Sequence, residues 1–215
     1  MVEPRAGHTA LLDDTLNQVH IDGGSAGQFS GEYYDVQTNR FVVRSLYNGE
    51  AIRRSHVAIR NPSQTPEDRF LVGGTWGVPY EDSQFPSALK EDGVVIISSH
   101  HYLVNLIINR THHSATLLPN GNVLVVGGMS DWTLRSVEIV ERPFIGPFGS
   151  KRGRETASLP ISRMSHTATL LTDAAVLIAG GMVMQDQRPW NLGISLAEAH
   201  VFAYTRQHYT TYESR

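Results

Sequence analysis

Four arginines and four histidines carry the most suggestive chemistry in this chain, because each arginine stands three residues before a histidine. The pairs are Arg5 and His8, Arg53 and His56, Arg110 and His113, and Arg163 and His166. A guanidinium is always charged and grips a carboxylate through two parallel hydrogen bonds. Four of them in a ring would make a positive mouth for an acidic or polar ligand. The same arginines can instead pair with carboxylates or carbonyls of the chain itself, and the residues alone leave both roles open. Four imidazoles invite zinc or copper. Equivalent places in successive repeats would hold them farther apart than metal–nitrogen bonding allows. Their expected role is in the framework, each ring hydrogen-bonded to nearby backbone. No metal and no other cofactor is expected.

A second set of candidates is aromatic. Trp76 and Tyr80, Asp131 and Trp132, and Arg188 and Trp190 fall in three loops that each follow a Gly pair. Exposed Trp, Tyr and Arg are the residue types that dominate binding hot spots. A tryptophan there can also fold back as a packing plug, so the loops have two readings as well.

The elements that must position these groups are legible as a repeat. Arg5-Ala6-Gly7-His8-Thr9-Ala10-Leu11-Leu12 runs on to Gly23-Gly24, and Arg53-Arg54-Ser55-His56-Val57-Ala58-Ile59 runs on to Gly73-Gly74. Arg110 to Leu118 reaches Gly127-Gly128, and Arg163 to Leu171 reaches Gly180-Gly181. The motif histidines are 48, 57 and 53 residues apart, which divides the chain into repeats of approximately 1–49, 50–106, 107–159 and 160–215. Short runs of small and β-branched residues predict a first strand after each histidine. Val123–Val126 and Val176–Ala179 predict fully buried second strands. Pro119-Asn120-Gly121-Asn122 predicts a tight turn between them. Third strands are read at Gly31–Val36, Ser136–Val140 and Ala199–Tyr204; copy two has only looser apolar stretches around Val94–Ile97 and Tyr102–Ile108. No segment has convincing helical periodicity, so the expected class is all-β.

These motifs resemble the kelch repeat over nearly the whole chain, most closely in copies three and four. The resemblance implies a single β-propeller domain over residues 1–215, either a closed ring of four blades or an arc of a larger propeller. One blade cannot bury both its faces alone, and radial packing solves that. In kelch propellers the matching arginine sits near the mouth of the central channel and often helps bind acidic or polar partners. Galactose-oxidase-like copper enzymes carry such blades too, but their site depends on a Cys–Tyr crosslink and this chain has no cysteine. Sugar-epimerising relatives work through charged residues near the channel. No paired carboxylate here stands out as an acid–base couple.

Composition bounds the rest. The 215 residues carry a formal net charge of −3, which offers no global field for nucleic acid. The longest apolar runs are strand-length, so no membrane-spanning helix is expected. The lack of a visible leader and of cysteine favours a cytoplasmic location but leaves the compartment, secreted or cytoplasmic, open. The expected function is a noncatalytic binding module that presents interblade and post-Gly-Gly loops to a protein or an acidic ligand. The alternatives are an enzyme or enzyme fragment acting on sugars, or a structural blade array of a larger protein. An incomplete propeller would be expected to self-associate. If the ring closes through a shared strand, Tyr209–Arg215 would pair beside the first strand at His8.

Overall fold

Four four-stranded sheets, antiparallel at every described pairing, carry the chain in a computed structural model. It describes residues 1–24, 30–45, 53–60, 69–76, 90–91, 94–97, 103–141, 153–184, 193–205 and 208–213. The protein is all-β. No described residue is helical, so none belongs to a helix long and apolar enough to cross a membrane. The chain divides into two compact units, Met1–Leu103 and Val104–Arg215.

In the first unit, β1 (His8–Asp13), β2 (Gln18–Gly23), β3 (Ser30–Asp35) and β4 (Arg40–Ser45) form one sheet in that order. There follow β5 (Arg53–Arg54), β6 (Val57–Arg60), β7 (Arg69–Val72), β8 (Thr75–Trp76), β9 (Lys90–Glu91), β10 (Val94–Ile97) and β11 (Leu103–Asn105). The second large sheet has the order β6-β7-β10-β11, while β5, β8 and β9 make a small three-stranded sheet. The looser third copy-two strand is thus β10, with Ile96 opposite Leu71.

The second unit repeats the pattern. Its first sheet is β12 (Ser114–Leu117), β13 (Val123–Val126), β14 (Val137–Val140) and β15 (Arg154–Glu155). Its second joins β16 (Thr167–Leu170) and β17 (Val176–Ala179) to β20 (Ala199–Thr205) and β21 (His208–Glu213). Between them in sequence, β18 (Met182–Val183) pairs with β19 (Ile194–Ser195). The terminal segment corrects one expectation. Residues 208–213 pair along β20, with Tyr212 opposite Val201, and β1 pairs with β2 in its own sheet. A strand of β-rich sequence following directly on β20 reaches its neighbour through a short hairpin at far lower loop-closure cost than a distant edge.

Val123–Val126 is fully buried as expected, but Val176–Ala179 is not: Val176 and Ile178 are buried while Leu177 and Ala179 are only half-buried. All four residues of β13 have no exposed surface, and Leu124 and Val126 among them join Leu118, Val137, Ile139, Leu159, Val176, Ile178 and Phe202 in the apolar centre of the second unit. The first unit replaces part of that core with charge. Asp22 and Arg69 are buried together, with Nη2 2.9 Å from Oδ1 and Nε 2.5 Å from Oδ2. His20 is buried beside them, where the apolar Leu124 stands in copy three.

The β12–β13 turn is built as its residues require. Gly121 has φ 82° and donates to the Leu118 carbonyl, and the Asn120 side chain accepts from Asn122 N–H. Copy four closes the same turn with Ala174 at φ 69°, donating to Leu171. A Cβ in the left-handed region costs roughly 1 kcal/mol or more. Ala174→Gly is therefore expected to stabilise the protein by about 1 kcal/mol, read as a higher denaturant midpoint at unchanged m-value. A lower midpoint would show that the turn is not strained.

Candidate functional site

The third residue of each Arg-x-x-His motif adopts the left-handed conformation: Gly7 at 71°, Ser55 at 53°, His112 at 52° and Ser165 at 53°. That kink turns the chain sharply between the arginine and the first strand, and it drives the arginine side chain inward. The side chain of Arg5 has no exposed surface, and Arg53, Arg110 and Arg163 are at most 1% exposed as whole residues. In each repeat Nη1 donates to the carbonyl of the first glycine of the repeat's own Gly pair. The distances are 2.9 Å to Gly23, 2.9 Å to Gly127 and 3.0 Å to Gly180, and Arg53 makes the same bond to Gly73.

A carboxylate completes two of these sites. Arg5 Nη2 lies 2.8 Å from Glu32 Oε1, and Arg110 Nη2 bonds Glu138 Oε1. Glu32 lies opposite Ile21 and Glu138 opposite Val125, the same register position in two repeats. Copies two and four place Ile96 and His200 there. Arg163 instead has the half-exposed Glu198 at 4.0 Å. Burial lowers the pKa of Arg110 and of Arg163, and the nearby glutamates oppose that shift. Burial would raise Glu32, but the Val2 and Glu3 amides and Arg5 outweigh it and hold the carboxyl below its ordinary range.

Two of the four motif histidines, His56 and His166, bind the preceding repeat, and their partner is a hydroxyl, which corrects the expectation of backbone for these two. His56 Nε2 is 2.9 Å from Thr9 Oγ1, and His166 Nε2 is 2.8 Å from Ser114 Oγ. Each hydroxyl belongs to the residue just after the preceding motif histidine. Two backbone bonds accompany each contact. Gly24 N–H donates to Arg53 and Ser55 N–H to Gly7; Gly128 N–H donates to Arg163 and Ser165 N–H to His112. A Cβ on Gly127 would sit 2.5 Å from the Arg163 carbonyl oxygen and 3.0 Å from His166 Cε1, so the close approach requires glycine. Burial first, and the adjacent Arg53 second, lower the His56 pKa to about 4; burial and Arg163 lower His166 to about 4. Both rings are neutral at pH 7. Among the described residues no three His, Cys, Asp or Glu side chains gather as metal ligands.

The same motif stitches down the loops. In copies two to four the residue after the arginine pairs with the residue after the Gly pair: Arg54 with Thr75, Thr111 with Met129, and Met164 with Met182. Thr111 and Met129 exchange both backbone bonds, at 2.9 and 2.8 Å, and Met164 and Met182 do the same at 2.9 Å each. In copy three the loop closes again one step outward, where Met129 pairs with Thr133 and Leu134 N–H donates to Gly128. At its tip Asp131 and Trp132 point to solvent, the indole residue 52% exposed. This tryptophan is no packing plug. Trp76 lies in β8 with its backbone opposite Arg53, and Tyr80, Arg188 and Trp190 fall outside the described residues.

The sequence reading missed four partners: the carboxylates of Glu32 and Glu138 and the hydroxyls of Thr9 and Ser114. A hydroxyl after the motif histidine and a glutamate in the third strand were visible signals. Together these features define an all-β protein of repeated sheets whose motif arginines are buried and whose copy-three loop presents Trp132 to solvent. No family model matches the chain, and no curated protein matches it.

Proposed function

We propose that this protein is a noncatalytic kelch-type propeller module that binds a protein partner through its post-Gly-Gly loops. The observation that carries this reading is Trp132, an exposed indole on a loop whose ends are fastened by backbone bonds. Large exposed aromatics on preorganised backbone lose little entropy on binding, which makes them efficient anchors. The motif arginines serve the site indirectly, because their guanidinium groups are covered and hold the roots of the loops. Asp131 beside the indole adds a charge that sets orientation at the rim.

Selecting a random peptide library on the immobilised protein tests the proposal. Peptides are expected that bind wild type and bind Trp132→Ala at least about tenfold more weakly, a loss of roughly 1.4 kcal/mol. Circular dichroism of the variant should be unchanged, because the indole packs on little. Peptides indifferent to the substitution, or an empty selection, would overturn the assignment.

A further inference from the structure

Inside each unit two repeats meet along a seam, and the two seams share the same bonds. In each, a histidine meets a hydroxyl and two backbone amides cross: Gly24 to Arg53 and Ser55 to Gly7 in the first unit, Gly128 to Arg163 and Ser165 to His112 in the second. Their buried side chains differ. Counted back from the first glycine of each Gly pair, Asp22 and His20 of copy one hold the places of Val126 and Leu124 of copy three. Arg69 of copy two likewise holds the place of Val176 of copy four. The three apolar residues have no exposed surface and belong to the core of the second unit. The three polar ones are 2–6% exposed, so the first seam is closed around a buried charge cluster.

Around His20 stand Asp13 of β1, Asp22 of its own strand, Tyr33 of β3, Arg44 of β4 and Arg69 of β7. Both carboxylates are already engaged. Asp22 is held by Arg69 at 2.5 and 2.9 Å, and Asp13 Oδ1 accepts from the Thr15 and Leu16 amides. Asp13 Oδ2 is 4.0 Å from His20 Nε2, too far for a hydrogen bond, while Arg44 Nη1 is 3.4 Å from Nδ1. His56 of β6, near Asp22, and Arg53 of β5 beside it offer no negative charge. Two carboxylates thus answer two guanidinium groups around a neutral ring, and one more proton is a surplus charge in a buried site. Burial lowers the His20 pKa, and Arg69 adds to the shift.

We propose that the seam between copies one and two is an acid-opened switch, at which the two sheets of the first unit part on mild acidification while each keeps its own strand ladder. Parting the sheets brings His20 to water. Below pH 6.5 the open seam then binds a proton that the closed seam refuses, so the open form gains population as pH falls. The second seam shares the histidine–hydroxyl bond, His56 and His166 being lowered alike to about 4. It has Leu124 where His20 stands, and opens less.

Amide hydrogen exchange followed by NMR, corrected for the intrinsic rate at each pH, reads both seams in one sample. Gly24 and Ser55 report the first and Gly128 and Ser165 the second, since each of these N–H groups is donated across its seam. Between pH 7 and pH 5, protection at Gly24 and Ser55 is expected to fall about tenfold further than at Gly128 and Ser165, the effect of one additional proton bound by the open form. His20→Leu, which installs the residue of the second seam, should bring the four amides into step. His20→Gln should do the same while keeping a polar side chain in the site. Parallel loss at all four amides in wild type overturns the proposal. So does an excess at Gly24 and Ser55 that survives both substitutions.

Discussion

Glu138→Ala should lose about 3–5 kcal/mol of stability, the largest effect expected of any single substitution at the motif sites. Glu138 has no exposed surface. It accepts from Ile107 N–H at 2.7 Å and Ile108 N–H at 3.2 Å, and it neutralises Arg110. Removing it strands a fully buried guanidinium and two amides together, and an unpaired buried charge costs far more than the pair ever contributes. With a total stability of about 5–15 kcal/mol, much of the fold's margin goes. Glu198→Ala makes the contrast. Glu198 is 4.0 Å from Arg163 and its side chain is 51% exposed, so its loss should cost less than about 1 kcal/mol. Urea unfolding of both variants decides the matter. Equal, small losses would mean that Arg110 finds another partner or reaches water. For the same reason, replacing all four motif arginines should abolish folding rather than selectively silence a surface.

Acidification should weaken the fold steeply between pH 6.5 and pH 4. His56 and His166 are neutral in the native state, with pKa values lowered to about 4 from an ordinary 6.5. Burial is the main cause, and Arg53 and Arg163 add repulsion for the protonated ring. Below pH 6.5 the unfolded chain takes up protons that the folded chain refuses, so stability falls as pH falls. The contribution is complete above pH 6.5 and exhausted below pH 4. It is at most about 3 kcal/mol for each ring. Unfolding midpoints at pH 7, 5.5 and 4.5 should therefore drop in sequence, and His166→Gln should flatten part of the slope. Midpoints indifferent to pH across that window would show that the rings protonate in place. The neutral tautomers matter structurally as well, since each Nε2 faces a single hydroxyl at 2.8 or 2.9 Å.

The sequence made the strands legible because periodicity and turn chemistry are local. Val123–Val126, the Asn-Gly turn and the Gly pairs announce themselves within about ten residues. The partners of the motif groups are not local. Arg69 meets Asp22 across 47 residues, and His166 meets Ser114 across 52. Pairing them needs the strand register and the order of repeats, neither of which is written in composition. The arginines were ambiguous for a related reason. Whether Arg110 faces a channel or a carboxylate depends on Glu138 lying opposite Val125, a fact of sheet register. One signal was present and unread. Gly7 occupies the third motif place, and the left-handed Ser55, His112 and Ser165 show what it was for.

The two-residue stitch at the root of the loops in copies two to four separates two kinds of change. The stitch is made by backbone, so the residues that form it already differ between copies, whereas the buried ion pairs cannot lose a partner without large cost to the fold. Residues beyond it are topologically outside the strands, enclosed by their own closing bonds. Copy three spans that closure from Met129 to Thr133, and copy four spans it from Met182 to Ser195, on the same kind of root. Lengthening such a loop costs only the slow logarithm of its closure entropy. The scaffold is therefore one on which recognition can be rewritten cheaply, one loop at a time, by insertion as readily as by substitution.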